Sequence, residues 1–139
     1  MELTVALKQF NLLDIPISDH YYNCWGFTRF VFEKTELSWE QPDRMEQWLK
    51  TNTRRIKKIK VGDIGVMRDN NTLMHTFVII DAQKEIIIHK PGWWSLECST
   101  IKKEEMQGDY GKVTEFRRFK QRKVKINEKQ PCKYCFFDR

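Results

Sequence analysis

The sequence predicts a single α+β domain in which N-terminal helices pack on a mostly antiparallel sheet of five to six strands. Three observations support this fold class. A length of 139 residues suits one compact core, and 40% apolar with 13% aromatic residues excludes a disordered chain. Before residue 60 apolar residues recur at helical spacing. After it, short runs of β-branched and aromatic residues alternate with turn residues.

The first half of the chain contains the predicted helices. Residues 1–19 are typical of a short helix followed by a loop. An amphipathic helix is predicted from Cys24 to about Lys34, and a second one follows Pro42, a residue that favours the first helical turn. The apolar positions that define these two helices are Cys24, Phe27, Phe30 and Val31 in the first and Met45, Trp48 and Leu49 in the second.

The second half contains the predicted strands, separated by glycine, proline and asparagine turn residues. Basic residues alternate with isoleucine just before them, over residues 54–60, which indicates an exposed strand edge. The predicted strands of the main sheet cover residues 64–68, 75–80, 85–89, 96–100 and 113–120.

The net charge of +6 is concentrated at the C-terminus. Residues 112–139 contain ten Lys or Arg and three Asp or Glu, so the remainder of the chain is close to neutral. We therefore expect residues 1–120 to form the folded domain and residues 121–139 to form a basic tail that can contact nucleic acid or another polyanion. The tail carries a Cys-x-x-Cys pair, Cys132 and Cys135, but tetrahedral zinc needs four ligands, and we expect no metal and no cofactor.

Compartment and membrane association can also be anticipated. No apolar run approaches the ~20 residues of a membrane-spanning helix, so no membrane span is expected. The first residues have neither a basic leader nor a sustained apolar stretch, and the chain has only four Cys. These features predict a protein that is cytoplasmic as synthesised, with delivery to the cell envelope requiring a route without a leader peptide.

Cys24 lies at the start of the first amphipathic helix, which makes it a candidate nucleophile. Backbone N–H groups at a helix N-terminus carry partial positive charge and favour a thiolate over a thiol. A thiolate nucleophile also needs an imidazole that exchanges its proton and a third group that orients the ring. The chain contains only three histidines, His20, His75 and His89.

His75 opens one predicted strand and His89 closes the next. If residues 81–83 form a three-residue hairpin loop, His75 lies directly opposite His89 on one face of the sheet. A two-residue loop would place them on opposite faces. Asp81 is the alternative orienting group, although Asp at a turn usually serves the backbone, and we expect the same of Asp63.

Residues 23–32 (Asn-Cys-Trp-Gly-Phe-Thr-Arg-Phe-Val-Phe) resemble the nucleophile helix of the NlpC-type cell-wall cysteine peptidases. Residues 61–64 (Val-Gly-Asp-Ile) are similar to the turn before that family's first core strand. A His then opens an apolar strand and a second His ends the following one, as His75 and His89 do. The resemblance covers residues 21 to about 92. The related peptidoglycan amidases share the Cys-before-His order, whereas lipid-handling acyltransferases of the wider superfamily usually place His first.

The resemblance implies a papain-like fold and a cysteine hydrolase that cleaves an amide bond in peptidoglycan peptides through an acyl-enzyme. It assigns Cys24 as nucleophile, His75 as general base and acid, and His89 as the orienting group. Substrate contacts are expected from Tyr21, Tyr22 and Trp25. The alternative is a non-catalytic binding module whose basic C-terminal segment engages nucleic acid or another polyanion.

This sequence departs from the family pattern at three places. Asn23 replaces the usual Asp, Trp25 replaces the commoner Ser, and Thr76-Phe77 follow His75 where the family has Val-Gly. We expect the side chain in place of that Gly to narrow the approach to the site.

Overall fold

The computed structural model describes residues 2–17, 22–91, 95–107 and 110–120. The predicted basic tail, including Cys132 and Cys135, lies outside the described residues, as do His20 and Tyr21. Among the described residues, no helix has the length and apolarity needed to cross a bilayer.

Three predicted helices are confirmed, and the structure adds a fourth. Pro42 occupies the first turn of its helix, as predicted, and Lys34 ends the preceding helix in a left-handed conformation with φ of 50°. The helices are α1 (Leu3–Gln9), α2 (Cys24–Glu33), α3 (Pro42–Asn52) and α4 (Ile101–Gln107).

Helix α4 was not predicted, and its sequence explains why. It has only seven residues, and among residues 101–104, whose side chains are described, Ile101 and Glu104 are buried. A glutamate at a buried position breaks the apolar periodicity on which helix prediction depends. Thr100 begins the helix, since its hydroxyl accepts a hydrogen bond from the Lys103 N–H at 3.2 Å.

The described strands form one six-stranded sheet in the order β1-β6-β2-β3-β4-β5, and every neighbouring pair is antiparallel. The predicted strands are thereby confirmed, and the basic segment after residue 53 contributes an edge strand. The strands are β1 (Thr53–Ile56), β2 (Ile64–Asp69), β3 (Thr72–Asp81), β4 (Ile86–His89), β5 (Glu97–Thr100) and β6 (Lys112–Phe119).

The two faces of the sheet are covered differently. Val78 and Ile80 of β3 face the main core, which contains apolar side chains of α1, α2 and α3. Phe77 and Ile79 face a smaller core that includes Ile101 of α4. Because side chains alternate along a strand, His75 lies on the smaller-core face.

The predicted register of the β3–β4 hairpin is wrong by two residues. The structure pairs Val78 with Ile88, inserts a bulge at Ile80 and closes the hairpin with four residues, 82–85. A shift of two keeps each side chain on its face, so His75 and His89 still share a face, but they are diagonal neighbours rather than directly opposed.

Phe77 does not narrow the approach to the site, contrary to expectation. It is fully buried, and its ring lies over Gly65, its partner on β2. A Cβ atom at Gly65 would lie 2.1 Å from the ring carbons of Phe77, so the bare glycine makes room for the phenylalanine. The large side chain therefore fills the core of the sheet and does not stand at its surface.

Candidate active site

Cys24 is the first residue of α2, and Asn23 caps the helix. The Asn23 side-chain oxygen accepts hydrogen bonds from the N–H groups of Gly26 at 2.9 Å and Glu40 at 3.1 Å. Its amide nitrogen donates to the Glu40 carbonyl at 2.8 Å. This last bond needs a donor, which accounts for Asn where the resembled family has Asp.

The segment before α3 passes very close to the start of α2. A Cβ atom on Gly26 would lie 1.6 Å from the Ser38 carbonyl oxygen, so only glycine allows this approach. Asn23 and Gly26 together fix the first turn of α2 against residues 38–40. The position of Cys24 is therefore determined by main-chain contacts on this side.

Two threonines fix Cys24 on the other side, against β3. The Thr28 hydroxyl donates to the Cys24 carbonyl at 2.9 Å and lies 2.8 Å from the Thr76 hydroxyl. The last β3–β4 pair is Val78 with Ile88, so the strand edge at Thr76 is not paired with β4. The Thr76 backbone N–H instead hydrogen-bonds the Cys24 thiol. The sulfur thus lies beside the strand at the residue that follows His75.

The thiol is buried and neutral as it lies in this structure. Burial raises the pKa of Cys24 to about 12, and it outweighs the backbone amides of Thr76, Trp25 and Cys24 itself and the charge of Lys90, all of which lower it. The expectation that the helix N-terminus would depress this pKa is therefore wrong for this geometry. Desolvation is the larger effect.

His75 and His89 form a hydrogen-bonded pair. His75 Nε2 lies 2.7 Å from His89 Nδ1, and the two rings meet nearly at right angles. The His75 ring also stacks on Tyr110 at a centroid distance of 4.1 Å. Both histidines are fully buried, and their rings meet although the two residues are diagonal neighbours and not directly opposed as predicted.

Two carboxylates lie at the far end of this pair. His89 Nε2 is 3.0 Å from Glu97 Oε1 and 3.4 Å from Glu104 Oε1. Glu97 is the β5 residue opposite His89 and is partly exposed, whereas Glu104 comes from α4 and is fully buried. Ser99 donates a hydrogen bond to Glu104 Oε1 at 2.8 Å.

The other nitrogen of His75 has no hydrogen-bond partner among the residues that the structure describes. Nδ1 is buried and unpaired, although every other ring nitrogen of the pair is engaged. Burial and the neighbouring His89 hold the pKa of His75 well below 6.5, so the ring is neutral at physiological pH. A neutral ring with one unpaired nitrogen is suited to proton exchange.

The other predicted site residues take varied positions. Tyr22 is fully buried, its hydroxyl donates to the Pro16 carbonyl at 2.5 Å, and its own carbonyl accepts from the Lys90 ammonium at 3.1 Å. Trp25 is partly exposed, and its buried indole N–H has no partner within the described part of the chain. Asp81 accepts a hydrogen bond from the Lys84 N–H in the hairpin turn, so it does not orient His75.

His75, His89 and Glu104 are also a donor set that could hold a metal ion, since one ligand atom from each lies within 4.8 Å of the others. Histidine and carboxylate donors suit zinc. Their mutual hydrogen bonds account for the same geometry without an ion.

Asp63 is a turn residue, as expected: it accepts from the Lys60 N–H at 2.7 Å and pairs with Arg118.

Sequence reasoning missed Lys90, Glu97 and Glu104. Lys90 is fully buried, and its ammonium lies 4.7 Å from the centre of the Tyr22 ring. A lysine that ends a strand normally extends into solvent, so nothing in the pattern marked it. Glu104 was hidden in a helix that was not predicted. Glu97 could have been found from its place opposite His89 once the β4–β5 register was known.

Comparison with known proteins agrees with this architecture. The profile of the NlpC/P60 family matches residues 17–115, a span that includes α2, the first five strands and the whole candidate site. No curated protein matches the chain significantly. The α+β fold with its six-stranded antiparallel sheet is consistent with the papain-like fold of that family. The chain therefore belongs to the NlpC/P60 family.

Proposed function

We propose that this protein is a cysteine hydrolase that cleaves an amide bond in peptidoglycan peptides through an acyl-enzyme on Cys24. Members of the family are typically cysteine peptidases or amidases connected with peptidoglycan, which supports the reaction class and the substrate. One observation carries the proposal: the Cys24 thiol is hydrogen-bonded by the backbone of Thr76, and the preceding residue, His75, has an unpaired buried nitrogen.

In the acylation step the Cys24 S–H bond breaks and the proton passes to Nδ1 of His75 as the sulfur attacks the substrate carbonyl carbon. The thiol and the imidazole are both neutral beforehand, so the proton moves as the substrate reacts rather than in a preformed ion pair. The carbonyl oxygen gains negative charge, which the amides at the start of α2 stabilise. His75 then gives its proton to the leaving amine, and the amide C–N bond breaks.

Deacylation reverses these roles. His75, again neutral, takes a proton from a water molecule, and the hydroxide attacks the thioester carbonyl carbon. The C–S bond breaks, the thiolate recovers its proton from His75, and the carboxylic acid product leaves. Through both steps the hydrogen bond between His75 Nε2 and His89 Nδ1 keeps the His75 ring oriented.

The test is an assay of the purified protein on peptidoglycan fragments, with products identified by mass spectrometry. We expect the wild-type protein to cleave the fragment at an amide bond into two products, whose masses add up to the mass of the substrate plus one water. Cys24→Ala should abolish this release, since loss of the nucleophile from such a site costs on the order of 10⁶ in turnover. The matched control is Cys98→Ala, which removes the other cysteine among the described residues.

Retention of more than a tenth of the activity in Cys24→Ala would overturn the covalent mechanism. Equal losses in the two cysteine variants would point to destabilisation rather than to a nucleophile. If the wild-type protein cleaves nothing but binds nucleic acid with an affinity that falls steeply with salt, the alternative of a polyanion-binding module is correct.

A further inference from the structure

The carboxylates of Glu97 and Glu104, which lie beside His89, have no role in the bond-making and bond-breaking steps of Cys24 and His75. We infer that Glu104, supported by Glu97, is a positioning residue: the two carboxylates fix the protons of both histidines so that Nδ1 of His75, one residue before the backbone that contacts the Cys24 thiol, is a bare base. This inference rests on the proposed function and adds a fourth and a fifth residue to its site.

The hydrogen bonds run from the two carboxylates through His89 to His75. An ionised carboxylate can only accept hydrogen bonds. His89 Nε2 lies 3.0 Å from Glu97 Oε1 and 3.4 Å from Glu104 Oε1, so it must carry a proton and donate it. We take His89 as a neutral ring, in which only one nitrogen is protonated, so that its Nδ1 accepts.

The same reasoning then fixes His75. Its Nε2 lies 2.7 Å from the accepting Nδ1 of His89, so it must be the protonated nitrogen. In neutral His75 the remaining nitrogen, Nδ1, has a lone pair and no hydrogen. This is the buried nitrogen that has no partner, and it belongs to the residue that precedes Thr76, whose N–H contacts the Cys24 sulfur.

The chain of donors also matters once the thiol proton has moved. His75 then carries hydrogen on both nitrogens. Its positive charge is stabilised by the hydrogen bond to the His89 ring, which in turn donates a hydrogen bond to the carboxylates. The groups that face the pair are Tyr110 on His75 and Glu97 and Glu104 on His89, and Lys90 acts on Cys24 from the other side. Negative charge at the far end stabilises the imidazolium in the transition state.

Glu104 is the more important of the two carboxylates. It is fully buried, its orientation is fixed by the hydrogen bond from Ser99, and water cannot replace it. Glu97 has a shorter contact, but its side chain is 46% exposed. Water can take its place, and solvent screens its charge.

The first experiment reads the protons directly and needs no catalytic activity. Nitrogen-15 spectra of protein labelled in histidine distinguish bare from protonated ring nitrogens, and the chain has only three histidines. At neutral pH we expect a bare Nδ1 and a protonated Nε2 on His75, with assignment from a His20→Gln variant. A protonated Nδ1 on neutral His75 would overturn the inference even if the enzyme is active.

The second experiment measures kinetics of Glu104→Gln and Glu97→Gln. We expect Glu104→Gln to lower kcat about 10- to 100-fold, as outer-shell partners of histidine do elsewhere, with KM unchanged. The acidic limb of its pH–rate profile should move to lower pH, because loss of negative charge disfavours the imidazolium. Glu97→Gln should lower kcat by about fivefold or less.

The control is Glu115→Gln, which removes a partly buried, ion-paired carboxylate of β6. It should leave kcat and the pH–rate profile unchanged even if it lowers stability. An unchanged pH–rate profile in Glu104→Gln would reduce Glu104 to a structural residue and overturn the inference. Full activity of His75→Ala would instead refute the proposed function, while the nitrogen-15 result would still decide whether the proton arrangement exists.

Discussion

The two halves of the candidate site are held in place by different kinds of contact. Cys24 is positioned through contacts that each include a main-chain group: the Gly26 N–H at the Asn23 cap, the close passage of the Ser38 carbonyl, and the Cys24 carbonyl and Thr76 N–H beside β3. His75 is positioned by side chains that come from β4, β5 and α4. Main-chain contacts depend on a few permissive residues such as glycine and asparagine, whereas the histidine pair depends on the identity of each partner.

This difference predicts how the two halves respond to substitution. Changes near Cys24 should act mainly through stability, because they alter the backbone that carries the thiol. Changes in the histidine chain should act mainly through turnover, because they alter where protons lie. Measurements of turnover and of unfolding free energy on variants of both halves separate these two effects.

The largest contrast is expected among the histidines themselves. His75→Ala should lower turnover nearly as much as Cys24→Ala, on the order of 10⁶, since the thiol loses its base and the leaving amine its acid. His89→Ala should cost less, because water can partly replace an orienting group, and His20→Ala should cost least. Steady-state assays of the three variants on one peptidoglycan fragment give this order. A loss in His20→Ala larger than in His89→Ala would contradict it.

Gly65→Ala tests the close contact between the Gly65 main chain and the Phe77 ring on the smaller-core face. The added methyl group would overlap the Phe77 ring, so we expect a loss of about 1–3 kcal/mol in the free energy of unfolding, measured in urea. The double variant Gly65→Ala with Phe77→Leu should recover part of this loss, because the smaller side chain leaves room. If the loss is the same with and without Phe77→Leu, the contact between the two residues is not its cause.

The dependence of stability on pH should separate the two halves. The pKa of Cys24 is raised from 9.0 to about 12 on folding, so the unfolded chain loses its thiol proton first and stability falls as pH rises above 9, by up to about 1.4 kcal/mol per unit from this group. The pKa of His75 is lowered from 6.5, so the unfolded chain gains a proton first and stability falls as pH drops below 6.5.

Urea unfolding across this pH range gives the measurement. Cys24→Ala should weaken only the alkaline decline, and His75→Gln only the acidic one, relative to the wild-type protein. A wild-type protein that grows more stable between pH 9 and 11 relative to Cys24→Ala would show that the thiol is not buried in solution as it is in the structure.

The same contrast explains what the sequence could predict. Helix α2 was predictable because Phe27 and Val31 recur at helical spacing, and the turn at Asp63 because its chemistry is local. The shared face of His75 and His89 survived an error in register because that error was an even number of residues. The error comes from the loop, which covers residues 82–85 instead of 81–83 and alone would shift the register by three, and the bulge at Ile80 reduces the shift to two, so that the histidines stay on one face.

The remainder of the site depends on contacts between residues distant in sequence. Glu104 reaches His89 because α4 packs on the smaller-core face, and the buried ammonium of Lys90 lies over the Tyr22 ring. Neither contact is encoded in local spacing. The depressed thiol pKa expected from the helix N-terminus failed for the same reason, since burial by distant residues outweighs a local dipole.

The smallest expected effect concerns Asn23, where the resembled family has Asp. Asn23→Asp keeps both hydrogen bonds that the side-chain oxygen accepts and adds a charge that favours the helix N-terminus by about 0.3–1 kcal/mol. It loses the bond donated to the Glu40 carbonyl and places an acceptor against that buried oxygen, at a cost of about 1–3 kcal/mol.

The net expectation for Asn23→Asp is a loss of about 1 kcal/mol in the free energy of unfolding. Asn23→Ala should lose more, because it removes all three hydrogen bonds and the helix cap. In urea unfolding at neutral pH, we expect the free energy of unfolding to decrease from the wild-type protein to Asn23→Asp and then to Asn23→Ala. An aspartate variant as stable as the wild-type protein would mean that the donated bond contributes nothing. Residues 38–40 would then be fixed by the hydrogen bond from the Glu40 N–H to the side-chain oxygen of residue 23 and by the close approach of Gly26 to Ser38.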